Sequence, residues 1–287
     1  MEVAKVDTQP GRSTGPGRIK GAPALVASAI LLVVTIYLSG CASLTDNEQA
    51  GSSGSTPNRI KIAAASDLQP AFEELAVVLK NQRGVEAVFV FGSSGQLAEQ
   101  IVNGAGVDMY ASANEDYVDK VIKAEKASAT SRQHYAVGRL VIISGDADRE
   151  PPPIGSAEFE NADRLAIANP SHAPYGQAAK EALEAGGLWQ GAQQKLVFGE
   201  NARQAYQYAA TGNVDLAIVP LSLAIAGGRE YRPVPARLHN PINQTLVAVG
   251  QARRQETDQF IALLKAKAGQ RIMAKYGFAK PQGGDRP

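Results

Sequence analysis

Two serines each stand between a predicted strand and a predicted helix, and a serine at such a junction suits anion binding. Ser66 follows the apolar run at 60–65, and Ser94 follows the run at 88–91; apolar residues at helical spacing come after each. A helix N-terminus presents unpaired backbone N–H groups and about half a positive charge. A serine beside it adds a hydroxyl donor. Two such ends directed at one point predict a neutral cage for an anion, which indicates binding rather than catalysis.

Each serine also has a simpler structural interpretation. Ser66 begins the segment Ser66-Asp67-Leu68-Gln69, which fits a helix capping box. Ser94, next to Ser93, fits a plain helix cap or turn. The sequence leaves these alternatives open.

Two further strand-to-helix junctions have the same character. Pro174 suits a first helical position, so the amides of Tyr175 and Gly176 are free to donate outward. Asn201 is a good N-cap, which leaves the amide of Ala202 exposed. Tyr175 as a packing aromatic and Ala202 as a silent helix residue remain the alternatives.

Apolar runs alternate with amphipathic patterns along the chain, which predicts βαβ units and parallel sheets. About 220 residues, from 59 to 278, suffice for one large domain or two compact lobes. The predicted strands lie at 59–64, 85–91, 109–111, 139–144, 165–168, 195–198, 216–219 and 245–249. The predicted helices lie at 67–81, 95–104, 114–124, 174–186, 201–211 and 256–274.

The residues argue against an enzyme. Gln96 replaces the second glycine of a nucleophile elbow in the segment at 92–96. The three histidines, His134, His172 and His239, are scattered and form no metal-binding motif. We therefore expect no catalytic residue, no cofactor and no directly ligated metal.

The first 40 residues are typical of a secretory signal. A basic segment with Arg12 and Arg18 precedes an apolar stretch at 22–38, and small residues then lead to Cys41. The segment resembles the lipobox of bacterial lipoproteins, which implies lipid attachment at Cys41 and export across the cytoplasmic membrane. An incidental thiol in an uncleaved anchor is the alternative. Residues 41–58 are predicted to be a flexible tether, and residues 279–287 a polar tail.

Charge excludes one class of partner. Residues 1–40 contain four of the 29 Lys and Arg and two of the 28 Asp and Glu, so the remainder is nearly neutral. Without a basic run, nucleic acid is not expected as a partner.

Five segments together resemble a known family. They lie at 63–76, 91–114, 167–189, 199–220 and 274–278. In order and spacing they resemble molybdate-binding proteins, the extracytoplasmic substrate-binding components of molybdate ABC transporters. The resemblance covers roughly residues 59 to 278. It implies a two-lobed α/β fold of the type II periplasmic-binding-protein kind, with mixed, mostly parallel sheets and the ligand between the lobes.

The resemblance also implies which residues bind the oxyanion. Ser66 and Ser94 would donate from hydroxyl and amide groups, and Tyr175 and Ala202 from backbone amides. Asp67 is a weaker candidate through its amide, because its carboxylate would have to point away from an anion.

One position departs from the family pattern. Some members carry a tyrosine donor where this chain has Pro220. Tyr206 is a conceivable replacement, although packing is the simpler interpretation of that side chain.

The resemblance further implies how the chain is divided and what it contacts. We expect residues 59–138 and 241–278 to form one lobe, residues 139–240 to form the other, and the two crossings to act as hinges. The expected ligands are molybdate and tungstate, and the expected partners are an ABC permease and its ATPase, with the protein itself a monomer. A receptor for sulfate or phosphonate, and a membrane-tethered oxyanion sensor, are the alternatives.

Overall fold

The computed structural model describes residues 58–250 and 254–281, apart from the side chain of Arg254. The predicted signal segment, Cys41, most of the tether and residues 282–287 of the tail lie outside these residues.

Within the described residues, ten strands form two five-stranded sheets. The strands are β1 (Arg59–Ala65), β2 (Glu86–Gly92), β3 (Met109–Ser112), β4 (Gln133–Gly138), β5 (Leu140–Ser144), β6 (Leu165–Ala168), β7 (Leu196–Gly199), β8 (Leu216–Pro220), β9 (Arg232–Pro233) and β10 (Ile242–Ala248). The first sheet has the order β2-β1-β3-β10-β4, and the second has the order β7-β6-β8-β5-β9. Each sheet is mixed, with β1 and β6 parallel to both of their neighbours. The other pairings are antiparallel.

Helices cover the faces of both sheets. They are α1 (Gln69–Arg83), α2 (Ser94–Val102), α3 (Glu115–Lys123), α4 (Ala157–Glu160), α5 (Pro174–Ala185), α6 (Trp189–Ala192), α7 (Ala202–Ala210), α8 (Leu221–Ala226), α9 (Arg254–Lys265) and α10 (Lys267–Lys275). We call the first sheet with α1–α3, α9 and α10 the first lobe, and the second sheet with α4–α8 the second lobe. The expected two-lobed α/β fold is confirmed.

The chain crosses between the sheets twice. It leaves the first sheet between β4 and β5, and it returns between β9 and β10. In the first lobe, Phe72 of α1 packs edge-on against Phe260 of α9, with ring centroids 5.2 Å apart. In the second lobe, Val141 and Val219 of neighbouring strands pack with Ala205 of α7. Apolar side chains of each lobe therefore pack between its sheet and its helices.

One predicted helix was wrong, and several elements, β4 among them, were not predicted. The helix predicted at 256–274 is two helices, because Ala266 adopts an extended conformation between them. The turn is tight: a Cβ at Gly269 would lie 2.2 Å from the carbonyl oxygen of Leu263. The strand β4 was missed, because polar Gln133 and His134 hide its alternation.

No helix among the described residues is long and apolar enough to cross a membrane.

Candidate functional site

The carboxyl ends of paired parallel strands bring the predicted residues to two edges. In the first lobe, Ala65 at the end of β1 pairs with Gly92 at the end of β2. Ser66 and the start of α2 therefore follow from neighbouring strand ends. In the second lobe, Ala168 pairs with Gly199 in the same way, so the starts of α5 and α7 also share an edge.

Ser94 is fully buried at the first position of α2. The capping role belongs to Ser93, whose hydroxyl accepts from the amide of Gln96 at 3.4 Å. The hydroxyl oxygen of Ser94 instead accepts from the amide of Ala113 at 3.1 Å, and its carbonyl accepts from the Tyr110 hydroxyl at 2.6 Å. Its position is thus fixed from both sides while its hydroxyl hydrogen can still be donated.

Ser66 is the first residue of a single 3₁₀ turn before α1, and neither that turn nor α1 begins with a side-chain capping bond. Its hydroxyl oxygen accepts from the amide of Arg203, on the second lobe, at 3.3 Å. Ser66 therefore lies at the contact between the lobes, beside the first turn of α7. Its hydroxyl hydrogen is likewise available to a ligand.

The second lobe contributes helix amides. Asn201 caps α7 by accepting from the amide of Gln204 at 3.1 Å, which leaves Ala202 as the first helical residue. Pro174 occupies the first position of α5, followed by Tyr175. Among the described residues, neither the Ala202 amide nor the Tyr175 amide has an acceptor. These are the unpaired donors that a helix start offers to an anion.

Close packing sets the position of the α5 start. A Cβ at Gly176 would lie 2.1 Å from the carbonyl oxygen of Ala168, the last residue of β6. Only glycine allows the helix to begin so near the strand end. The Tyr175 amide is thereby placed at the sheet edge.

Asp67 is buried, and its carboxylate is engaged by protein groups. It accepts from Gln244 Nε2 at 2.8 Å and from the Tyr175 hydroxyl. Burial raises the pKa of Asp67 to about 7, while the hydrogen bonds from Tyr175, from its own backbone and from Gln244 act in the opposite direction. The Asp67 carbonyl accepts from the Ser222 hydroxyl of α8 at 2.7 Å. This residue therefore links the two lobes beside Ser66.

The structure shows where Pro220 and Tyr206 lie, the two residues that concern the missing tyrosine donor. Pro220 is buried at the end of β8, directly before α8. The hydroxyl of Tyr206 lies against Gly227, where a Cβ would be 1.7 Å from it. That hydroxyl therefore faces the far end of α8, which gives no support to Tyr206 as a replacement donor.

Sequence reasoning missed four residues of this region. Ser93 and His172 contact each other across the lobes, with Ser93 Oγ and His172 Nδ1 2.8 Å apart. Ser222 and Gln244 both bond to Asp67. Their partners lie 79 to 177 residues away along the chain, so no local pattern marks them.

The chemistry of this region is that of neutral donors. The Ser66 hydroxyl of the first lobe contacts the first turn of α7 in the second lobe, and Ser93, beside Ser94, contacts the turn before α5. Among the described residues, no group of three or more His, Cys, Asp or Glu side chains could hold a metal ion. A two-lobed α/β protein whose facing strand ends present such donors has the architecture of a solute-binding protein.

Comparison with known proteins identifies the family. Residues 60–279 match the family described as bacterial extracellular solute-binding protein, and the chain belongs to that family. It is 33% identical over 222 residues to the molybdate-binding protein ModA of Rhodobacter capsulatus, covering 76% of this chain and 87% of the relative. It is 31% identical over 228 residues to ModA of Azotobacter vinelandii, covering 76% and 89%.

A solved structure agrees with these relatives. The periplasmic molybdate-binding protein of Azotobacter vinelandii superposes with a TM-score of 0.72 at 30% identity, covering 78% of this chain and 100% of the other. These relatives are named as molybdate-binding proteins, in agreement with the prediction that this chain is not an enzyme.

Proposed function

We propose that this protein captures molybdate, and also tungstate, outside the cytoplasmic membrane and delivers it to an ABC importer. The observation that carries the proposal is the set of unpaired donors at facing strand ends. Ser66 and Ser94 offer hydroxyls from the first lobe, and Tyr175 and Ala202 offer amides from the second. The named ligand of the relatives supports the choice of anion.

The donors act as one shell only when both lobes contact the anion. Each lobe supplies part of the hydrogen bonding, so an anion held by both stabilises the closed arrangement over the open one. We infer that residues 59–138 with 241–278, and residues 139–240, move as the two lobes. The division of strands between the two sheets supports this inference.

The donor set predicts selectivity. Molybdate and tungstate are dianions without a proton at neutral pH, so donors alone satisfy all of their oxygens. Phosphate keeps a proton, and its O–H would face donors without an acceptor. An unpaired buried polar group costs about 1–3 kcal/mol, which corresponds to about 5- to 150-fold in affinity. Sulfate has no proton, so only the size of the site discriminates against it.

The Asp67 carboxylate would be the obvious repulsive group, yet it is directed at Tyr175 and Gln244. Its raised pKa further reduces its negative charge at neutral pH. Asp67 therefore contributes to the site through its backbone and through the contact between the lobes.

We also propose that lipid attached to Cys41 anchors the exported protein to a membrane, on the periplasmic or cell-surface side. The sequence around Cys41 supports this, and several acyl chains on one cysteine would anchor it stably. The protein then acts as a monomer tethered near its permease and ATPase.

Isothermal titration calorimetry of the full-length protein with molybdate, tungstate, sulfate and phosphate tests the function. We expect micromolar or tighter binding of molybdate and tungstate, with no competition from phosphate. The proposal is wrong if molybdate gives no heat while sulfate or phosphate binds clearly.

A further inference from the structure

His172 makes contacts between the lobes that involve none of the proposed anion donors. It lies in the turn between β6 and α5, on the second lobe. Its Nδ1 is 2.8 Å from Ser93 Oγ, and its carbonyl oxygen accepts from the Gly95 amide at 2.9 Å. Both partners belong to the start of α2, on the first lobe. Side chain and backbone of one residue thus bridge the cleft.

A second contact lies beside this one. The side chain of Gln96 donates to Glu200 Oε2 at 2.8 Å, again from α2 to the second lobe. Glu200 Oε2 is also 3.9 Å from His172 Nε2. The two side chains of the second lobe therefore approach the same helix start.

Gly95 shows how closely the lobes approach. A Cβ there would lie 2.8 Å from the His172 carbonyl oxygen and 3.0 Å from its Cα. The obstruction is backbone of the other lobe, so no side-chain rotation would relieve it. Glycine at this position is explained by the contact between the lobes, not by the conformation of its own helix.

We propose that His172, Ser93 and Gly95 form an interlobe clasp that controls how long the lobes stay closed around the anion. The proposal rests on the proposed binding function, although none of the three clasp residues is a proposed anion donor. An anion enters while the lobes are apart, so the clasp has little effect on association. Release requires the lobes to separate, which breaks these bonds, so the clasp slows dissociation.

His172→Ala and His172→Asn separate this role from a structural one. Asparagine carries a polar atom close to the position of Nδ1, so it can restore the contact with Ser93, whereas alanine cannot. His134→Ala is the matched control, because His134 is exposed and its ring forms a hydrogen bond with the carbonyl of Ala136 within its own strand. Gly95→Ala tests the close approach directly.

Stopped-flow mixing of the full-length protein with molybdate measures both rate constants. We expect His172→Ala to raise the dissociation rate constant about three- to tenfold with the association rate constant unchanged. His172→Asn should restore most of the loss, and His134→Ala should match the wild type. Gly95→Ala should raise the dissociation rate constant at least as much as His172→Ala does.

The proposal is overturned if dissociation from both His172→Ala and Gly95→Ala equals that from the wild type. A lower association rate with unchanged dissociation would also contradict it. If the wild type itself does not bind molybdate, the proposed function fails. The clasp is then tested in the ligand-free protein by measuring the distance between the lobes. Pulsed-EPR distances between one spin label on each lobe should then be longer in Gly95→Ala than in the wild type, and identical distances would overturn the clasp.

Discussion

In the proposed site, the two lobes offer the same kind of hydrogen bond to an anion from different parts of the chain. The first lobe would use hydroxyls, from Ser66 and Ser94, which a side-chain substitution can remove. The second lobe would use the backbone amides of Tyr175 and Ala202 at two helix starts. The identity of those two side chains therefore says little about their role. One half of the proposed site can therefore be recognised from serines in the sequence, whereas the other half can be recognised only from the geometry of two helix starts.

Removal of one amide should have the largest effect. Ala202→Pro deletes the N–H at the first position of α7, where proline is compatible with the helix. The preceding residue, Asn201, is already extended with φ −151° and ψ 174°, as a residue before proline prefers. Because a hydrogen bond to a charged ligand is lost, we expect molybdate affinity to fall by about 1.5–3 kcal/mol in calorimetry.

Ala202→Ser is the control for that substitution, because it keeps the amide and the helix start. Its affinity should stay close to that of the wild type. Equal affinities of the proline and serine variants would remove the Ala202 amide from the site.

Ser94→Ala should have the next largest effect. The substitution removes the hydroxyl that is proposed to donate to the anion, and it also leaves the Ala113 amide without its acceptor. We expect molybdate to bind about 1–3 kcal/mol more weakly in the same titration. Ser171→Ala, in an exposed turn of the second lobe, should bind as the wild type does. An unchanged affinity of Ser94→Ala would exclude Ser94 from the shell.

The raised pKa of Asp67 predicts that the stability of the folded protein depends on pH. Its pKa is raised from 3.8 to about 7 in the folded protein, so the folded state holds this proton more tightly than the unfolded chain. The stability contributed by the protonated carboxyl is complete below the unfolded pKa and is lost as the pH rises through about 7. The melting temperature of the wild type minus that of Asp67→Asn should therefore fall between pH 5.5 and 8. Asp148→Asn, at an exposed position, should show no such trend, and a difference for Asp67→Asn that is constant or increases with pH would contradict this account.

Tyr175→Phe should have the smallest effect, because it keeps the amide that faces the ligand. It loses the hydroxyl bond to Asp67, which contributes to the contact between the lobes. We expect a loss in molybdate affinity of about 0.5–1.5 kcal/mol. A loss larger than that of Ala202→Pro would mean that the second lobe acts through a side chain, and the contrast between the lobes would disappear.

The sequence predicts the strand ends and helix starts well, because apolar runs, Pro174 and Asn201 are local signals. It does not predict β4, whose first residues are polar, or the break at Ala266, a residue that usually favours helix. It also gives no sign that Ser93 caps α2 while the Ser94 hydroxyl bonds to the Ala113 amide instead, since both are equally good cap residues. The contacts of His172 with the other lobe join segments 79 residues apart, and only the folded chain brings them together.

Anomalous scattering at the molybdenum edge, from crystals of the full-length protein grown with molybdate, would locate the bound anion. The account predicts one strong peak between the lobes, with ligand oxygens within hydrogen-bonding distance of Ser94 Oγ and of the Tyr175 and Ala202 amides. A peak elsewhere, or one contacted by the serines of the first lobe alone, would contradict it.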